Sequence, residues 1–354
     1  MNKKVIIAMS GGVDSSVAAF LMKEKGYECI GATMKLYDNE DIGISREKTC
    51  CSLDDIDDAR AVARRLDMPY YVFNFKDEFE EKVIHKFIST YENGGTPNPC
   101  IDCNRYLKFE KLFQRMYELG FDYVVTGHYA KVEEESGWFY LKKGEDVTKD
   151  QSYVLYSLTQ SQLSHIQFPL GAYSKSEIRE IAQSQNFLNA RKKDSQDICF
   201  VPDGNYAKFI EGYLGKTYPQ GDFVDKNGNV IGRHQGIIRY TNGQRRGLGV
   251  AFGKPMYVAG KDAEKNTVTL CTNEDLFSDT LLAVDFNWLI PNPSEQIKCK
   301  ARVRYNMKEQ PATAYILEDN KVKVVFDEPQ RAITKGQAVV LYEDDVVLGG
   351  GAIV

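Results

Sequence analysis

Two groups of residues in this 354-residue chain have side chains and spacing suited to chemistry. The first is Ser10-Gly11-Gly12-Val13-Asp14-Ser15-Ser16, between a short apolar run and a helical pattern. Glycines let the backbone turn tightly and aim its N–H groups into one concavity, and the start of the helix adds positive potential. With two hydroxyls as further donors, the loop suits pyrophosphate. No Gly-x-x-x-x-Gly-Lys-Ser/Thr is present, so γ-phosphate transfer by a P-loop is unsupported. The bland alternative is a tight βα turn without a ligand. The second group is Cys100-x-x-Cys103 and Cys199, out of eight cysteines. Lys3 and Lys4 precede only Val5 to Met9 before Ser10-Gly11-Gly12 interrupts the apolar run, which is no export signal. The cysteines therefore read as reduced thiols for metal, redox or covalent work, in a cytoplasmic protein. A thiolate attacks disulfide-like sulfur well, and helix N-termini or basic neighbours lower its pKa. Cys103 precedes a helical pattern (Tyr106, Leu107, Phe109, Leu112, Phe113), which places it at a helix start, and Arg191, Lys192 and Lys193 precede Cys199. The plain alternative for Cys199, followed by Phe200 and Val201, is an inert buried thiol.

The elements that must hold these groups alternate between strand and helix. Strands are expected at Val5–Met9, Cys29–Met34, Tyr70–Phe75 and Tyr123–Thr126, with helices over Ser15–Lys25, Asp54–Leu66 and Asp77–Tyr91. That order implies an α/β domain, a doubly wound parallel sheet with ligands beyond the carboxyl ends of its strands. After Cys199 turn signals become frequent, around short strands at Val230-Ile231 and Gly236–Tyr240. From Ser278 the chain reads as all-β, with strands at Lys298–Tyr305, Ala312–Leu317, Lys321–Phe326, Ala338–Tyr342 and Val346–Ile353; a small barrel is the natural form. The expected division is 1–201 for the catalytic domain, 202–277 for a β-rich middle and 278–354 for the β-barrel. A net charge of −5 argues against a general polyanion coat but leaves room for a local basic patch. No stretch is long and apolar enough to span a bilayer, so no membrane partner is expected.

Ser-Gly-Gly-x-Asp-Ser at the first strand–helix junction resembles the PP-loop of ATP pyrophosphatases, the adenine-nucleotide hydrolase-like fold that adenylates a substrate and releases pyrophosphate. Further motifs narrow the likeness. Thr96-Pro97-Asn98-Pro99-Cys100-Ile101-Asp102-Cys103-Asn104, Thr126-Gly127-His128-Tyr129, Lys149-Asp150-Gln151-Ser152-Tyr153 and Asp194 to Phe200 are similar to segments of tRNA-specific 2-thiouridylases. So are Tyr240 to Gly249, Val303-Arg304-Tyr305, Phe326 to Ala332 and Leu348-Gly349-Gly350-Gly351, all in family order. The resemblance implies 2-thiolation of the wobble uridine of tRNAs for Lys, Glu and Gln, with ATP converted to AMP and pyrophosphate. It implies Cys199 as persulfide carrier and Cys103 as nucleophile, with a Cys103–Cys199 disulfide left at the end. It places ATP against Ala8, Met9, Ser10, Gly11, Gly12, Val13, Asp14, Ser15, Met34 and Gly127, with Asp14 helping to hold Mg²⁺. It assigns tRNA contact to Pro97, Asn98, Pro99, His128, Lys149, Asp150, Gln151, Arg304, Tyr305 and Gln337. The partners implied are the tRNA anticodon arm and a sulfur donor protein, such as a cysteine desulfurase or a sulfur-relay carrier. Base flipping is expected, because a stacked base hides the reacting carbon.

Cys100 departs from the commonest family pattern, which has Asp there, so the acid/base role of that Asp is in doubt. Three readings stand: a bystander, a second resolving thiol, or a [4Fe–4S] ligand with Cys103 and Cys199. Cluster-free persulfide chemistry is the preferred one. A zinc site using Cys50 and Cys51 is disfavoured, because adjacent cysteines suit tetrahedral ligation poorly. Cys29 reads as core, and Cys271 and Cys299 carry no signal. Two rival functions remain, a small-molecule adenylating ligase with the same loop and a non-catalytic tRNA-binding protein.

Overall fold

The computed structural model describes residues 2–38, 53–192, 198–201, 203–250 and 252–354. Cys50, Cys51 and Asp194 to Asp197 lie outside the described residues. The N-terminal sheet contains β1 (Lys4–Ala8), β2 (Glu28–Lys35), β3 (Tyr70–Asn74), β4 (Tyr123–Val125) and, after a hairpin of β5 (Ala130–Glu135) and β6 (Trp138–Lys143), β7 (Ile166–Gln167). Their order is β3-β2-β1-β4-β7, and every pairing is parallel. Val5, Ile6 and Ile7 of β1 are fully buried, as a continuous β-branched run in a two-sided sheet must be. Helices α1 (Val13–Glu24) and α2 (Leu53–Arg65) follow β1 and β2. The chain leaves β1 toward β2 on one side, and β4 lies on the other, so the crevice beyond β1 and β4 is the topological switch point where such sheets bind ligands.

Two helical runs between β3 and β4 are irregular. Lys76–Phe79, Glu80–Ile84 and His85–Glu92 form one helix with a π-helical middle, where the sequence predicts a regular helix. Pro99–Asp102, Cys103–Lys111 and Leu112–Glu118 form a second, and its wide π-turns begin at Cys103. Pro99 occupies the first helical turn, where a missing N–H costs nothing.

The middle region has β8 (Gly221–Val224), β9 (Val230–His234), β10 (Tyr257–Asp262) and β11 (Thr267–Cys271), ordered β10-β11-β8-β9. Gly236–Tyr240, expected as a strand, contains instead a 3₁₀ turn at Ile237–Arg239, entered through Gly236 at φ +110°. The last region has β12 (Phe277–Trp288), β13 (Gln296–Arg302), β14 (Gln310–Leu317), β15 (Lys321–Arg331), β16 (Ala338–Glu343) and β17 (Val346–Ile353). Pairing of β12 with both β15 and β17 closes these six strands into a barrel. The expected strand Lys298–Tyr305 ends at Arg302, which puts Arg304 and Tyr305 in the loop beyond it. The β5–β6 hairpin, absent from the sequence reading, joins the barrel sheet through Val346 and Lys142 and so ties the first region to the last. Gly350 belongs to the same junction: a Cβ there would stand 2.7 Å from the Tyr156 ring.

Candidate active site

The loop after β1 leaves the start of the following helix without a side-chain cap. Gly12 caps α1 with no side-chain hydrogen bond, so the start of a 12-residue helix faces the crevice with its dipole unopposed. The hydroxyls brace the loop from within: Ser15 Oγ accepts from Ser10 N at 3.2 Å and donates to Gly12 O at 3.1 Å, and Ser16 Oγ donates to Gly12 O at 3.0 Å. Buried Asn189 donates to Gly11 O and to Ser16 Oγ, both at 2.9 Å. Gly11 has φ +73°, and a Cβ there would lie 2.4 Å from Asp55 O. At Gly127 a Cβ would meet Ser15 N at 2.9 Å, so the turn after β4 passes flush against the start of α1 only because that residue has no side chain.

One cavity of about 670 Å³ joins this loop to the thiols. Ala8, Met9, Ser10, Gly12, Val13, Asp14, Ser15, Met34 and Gly127 line it, as do Cys100, Cys103 and Cys199. Pro99, His128, Lys149, Gln151 and Tyr305 line it too. Of the residues singled out in the sequence, Gly11, Pro97, Asn98, Asp150, Arg304 and Gln337 do not. Asp150 is buried and accepts from Gly144 N, Ser152 N and Ser152 Oγ at 3.2, 3.1 and 2.9 Å. The Arg304 guanidinium donates to Asn242 O at 3.1 Å, Ala332 O at 3.2 Å and Thr334 Oγ1 at 2.5 Å. Gln337 Nε2 donates to Thr96 O and Pro97 O at 2.8 and 3.1 Å. These three side chains brace the surroundings of the cavity.

Asp14 receives Lys175 Nζ on both oxygens, at 2.7 and 2.9 Å, and Tyr129 Oη on one, at 2.8 Å. Neither Lys175 nor Tyr129 was singled out as a site residue. Lys175 did leave a signal: it opens the helix Lys175–Ser184, where a cation opposes the dipole, directly after the capping residue Ser174. Lys192 also departs from expectation. Its ammonium goes to Asp55 at 2.5 Å and Asp58 at 2.7 Å, on the loop side of the cavity, instead of serving Cys199. Lys108, another lining residue that sequence reasoning missed, has no hydrogen-bond or ion-pair acceptor among the described residues, and its charge pulls the pKa values of Cys103 and His128 down.

The thiols correct another expectation. The helix begins at Pro99, so Cys100 occupies its first turn and is exposed, while Cys103 lies one turn further in. Burial pushes the Cys103 thiol up to about 11, against a smaller opposing pull from Lys108. It is held protonated at neutral pH, the reverse of an activated thiolate. His128 is buried, with Nδ1 2.7 Å from Thr126 Oγ1, and burial holds its pKa well below the ordinary value, so the ring is neutral. Cys29 is buried in the core beside α1, and Cys299, pushed up to about 12 by burial, lies in the barrel.

Three family profiles match. The one described as "tRNA methyl transferase HUP domain" covers residues 3–203, "tRNA methyl transferase PRC-barrel domain" 207–272 and "Aminomethyltransferase beta-barrel domain" 278–353. A protein of Clostridioides difficile strain 630 named tRNA-specific 2-thiouridylase MnmA is 50% identical over 356 aligned residues, spanning 100% of this chain and 98% of that one. The chain belongs to the tRNA-specific 2-thiouridylase family. Relatives of the same name include a protein of Clostridium acetobutylicum, 50% identical over 100% of both chains, and one of Thermoanaerobacter pseudethanolicus, 51% identical over 99% of this chain and 98% of that one. Within a 2-thiouridylase the cavity has two ends to explain, a phosphate cradle and a set of thiols.

Asp14 is the loop's carboxylate, and one carboxylate plus substrate phosphates is an ordinary Mg²⁺ donor set, which fits here once Lys175 moves aside. An iron–sulfur cluster fits less well: among the described residues no three His, Cys, Asp or Glu side chains are grouped to hold one metal ion.

Proposed function

We propose that the chain is a tRNA-uridine 2-sulfurtransferase that adenylates the 2-oxo group of the wobble uridine in tRNAs for Lys, Glu and Gln and replaces it with sulfur. The observation that carries this reading is the single cavity lined at one end by the Gly-rich loop and at the other by Cys100, Cys103 and Cys199. The loop's N–H groups and the start of α1 hold the phosphates of ATP, with Met34 and Gly127 flanking the rest of the nucleotide. Lys175, now on Asp14, is within the cavity to meet a phosphate oxygen, and Asp14 so released would hold Mg²⁺, which would supply neutralisation of phosphate charge during pyrophosphate departure. Uridine O2 attacks the α-phosphorus, and the base becomes an adenylate.

Sulfur transfer then needs two thiols. The terminal sulfur of a Cys199 persulfide attacks C2, and AMP leaves. The Cys103 thiolate attacks Sγ of Cys199; the bond to the transferred sulfur breaks, its electron pair stays on that sulfur, and a Cys103–Cys199 disulfide remains. An external thiol reductant restores both cysteines, and a sulfur donor protein recharges Cys199. Because burial keeps Cys103 protonated in the resting site, its proton leaves only after substrate arrives. Tyr305, with the Arg302 guanidinium 5.5 Å from its ring centroid, offers a stacking face at the mouth for an unpaired base. Among the described residues no helix is long and apolar enough to cross a membrane, which accords with work on tRNA in the cytoplasm.

The test is incubation of the reduced protein with unmodified tRNA, ATP, Mg²⁺ and a persulfide donor, followed by nucleoside mass spectrometry. Formation of 2-thiouridine matched by AMP supports the reading. AMP formation with a small-molecule acceptor and no thiouridine would replace it with the ligase alternative.

A further inference from the structure

Residues 94–98 form a strap between the helix ending at Glu92 and the helix that carries Cys100 and Cys103. Two other parts of the molecule grip it. From the barrel side, Lys335 O accepts from Thr96 N at 2.9 Å, and Gln337 donates to Thr96 O and Pro97 O. From the middle region, Lys261 on β10 donates through Nζ to Gly95 O at 3.0 Å and to Tyr240 O at 2.8 Å, and its ammonium stands 5.3 Å from the Tyr91 ring centroid. The backbones also touch closely. Gly94 has φ +78°, and a Cβ there would lie 2.9 Å from Lys261 O; at Gly95 a Cβ would lie 3.1 Å from Lys335 O.

Lys261 is an expensive way to hold a loop. Burial lowers its pKa to about 8, and among the described residues no carboxylate contributes to that balance. At neutral pH the side chain still carries its charge, compensated by two carbonyls and an aromatic face. An apolar side chain would fill the same space without desolvating an ion, so packing alone does not account for it. What the ammonium adds is direction: it fixes a strap carbonyl relative to Tyr240 of the middle region, five residues before Cys100.

We infer that Lys261 is a positioning residue for sulfur transfer, fixing the strap so that the following helix presents Cys100 and Cys103 to the cavity. The inference rests on the sulfur-transfer reading of that cavity. Lys261 is not among the residues lining the cavity, and the Gly-rich loop is carried by β1 and α1, so adenylation does not depend on it.

The experiment compares the parent with Lys261→Met and Lys261→Arg. Three quantities are measured: tRNA-dependent pyrophosphate release in the first turnover, the kcat and KM for 2-thiouridine formation, and the iodoacetamide alkylation rate of Cys103 without tRNA, by peptide mapping. Lys261→Met is expected to keep first-turnover pyrophosphate release and the KM for tRNA within about twofold, while kcat for thiolation falls by about tenfold or more, as for a small misplacement of a reacting group. Its Cys103 alkylation rate is expected to change at least about threefold, since exposure sets thiol access. Lys261→Arg, which also presents two donors, is expected to recover most of the lost kcat. Lys261→Met with kcat and alkylation within twofold of the parent overturns the inference. So does a parallel loss of first-turnover pyrophosphate release and thiolation with a lowered Tm, which makes the residue merely structural. If Lys261→Met does not fold, Lys261→Gln, which keeps one amide donor, is judged by the same thresholds. A parent that makes no 2-thiouridine defeats the functional reading instead, and the alkylation comparison then decides the role of Lys261 by itself.

Discussion

The two ends of the cavity are prepared for their work to different degrees. At the nucleotide end, Ser15, Ser16 and Asn189 brace the loop, and Lys175 sits on Asp14 as a cation would. At the sulfur end, Cys103 is protonated and His128 neutral, with Lys108 as the charge that favours a thiolate. Anion binding benefits from donors fixed in advance, because their ordering entropy is settled during folding. A thiol that stays protonated until a base is bound is protected from idle oxidation. Under the proposed reaction the difference amounts to a division of labour, with the phosphate site preorganised and the sulfur site activated on demand.

That contrast can be broken at several points. Gly11→Ala has the largest expected effect: it forces φ +73° on a residue with a Cβ 2.4 Å from Asp55 O, at a cost of about 3 kcal/mol or more. A lowered Tm together with lost ATP binding checks it, and full ATP affinity would show that the loop is not preorganised. Lys175→Met comes next. Removing a charged phosphate ligand is expected to weaken ATP by about 30-fold, or about 2 kcal/mol, in a nucleotide titration. Unchanged affinity would confine Lys175 to bracing Asp14.

The sulfur end gives a pH signature. With a thiol near 11, the alkylation rate of Cys103 is expected to climb about tenfold per pH unit from 7 to 10 without a plateau, because the thiolate is the reacting form. The sign is fixed by desolvation, which raises a thiol pKa. A plateau near pH 7 would mean an activated thiolate and erase the contrast. Gln337→Ala is expected to have the smallest effect, roughly 1 kcal/mol of stability for two hydrogen bonds to the strap, read by denaturant titration.

The nucleotide end was largely legible in the sequence because its chemistry is local. A glycine turn between Val5–Met9 and an amphipathic run fixes strand, loop and helix within 25 residues, and β1 and α1 follow that reading closely. The sulfur end depends on contacts between distant segments. Pro99 in the first turn of a helix that continues through π-turns moved the start of that helix ahead of Cys100. No local pattern reveals that Lys192 turns to Asp55, or that Arg304 and Gln337 spend their donors on backbone carbonyls. Strand β12 escaped because Asp279, Asp285 and Asn287 break its alternation; the ladder shifts register there, and Asp285 has φ +50°. The β5–β6 hairpin carries little strand signal because Glu133-Glu134-Glu135 and Lys142-Lys143 interrupt its apolar pattern, though the charges pair across it, as Lys142 and Glu133 do at 2.6 Å.

The most direct test of two separable ends in one cavity is Cys199→Ser assayed with unmodified tRNA, ATP and a persulfide donor, quantifying pyrophosphate and 2-thiouridine in the same reaction. The account predicts that pyrophosphate is still released in a tRNA-dependent manner, from the one adenylation each site completes, while 2-thiouridine disappears. Undiminished 2-thiouridine from Cys199→Ser would contradict it.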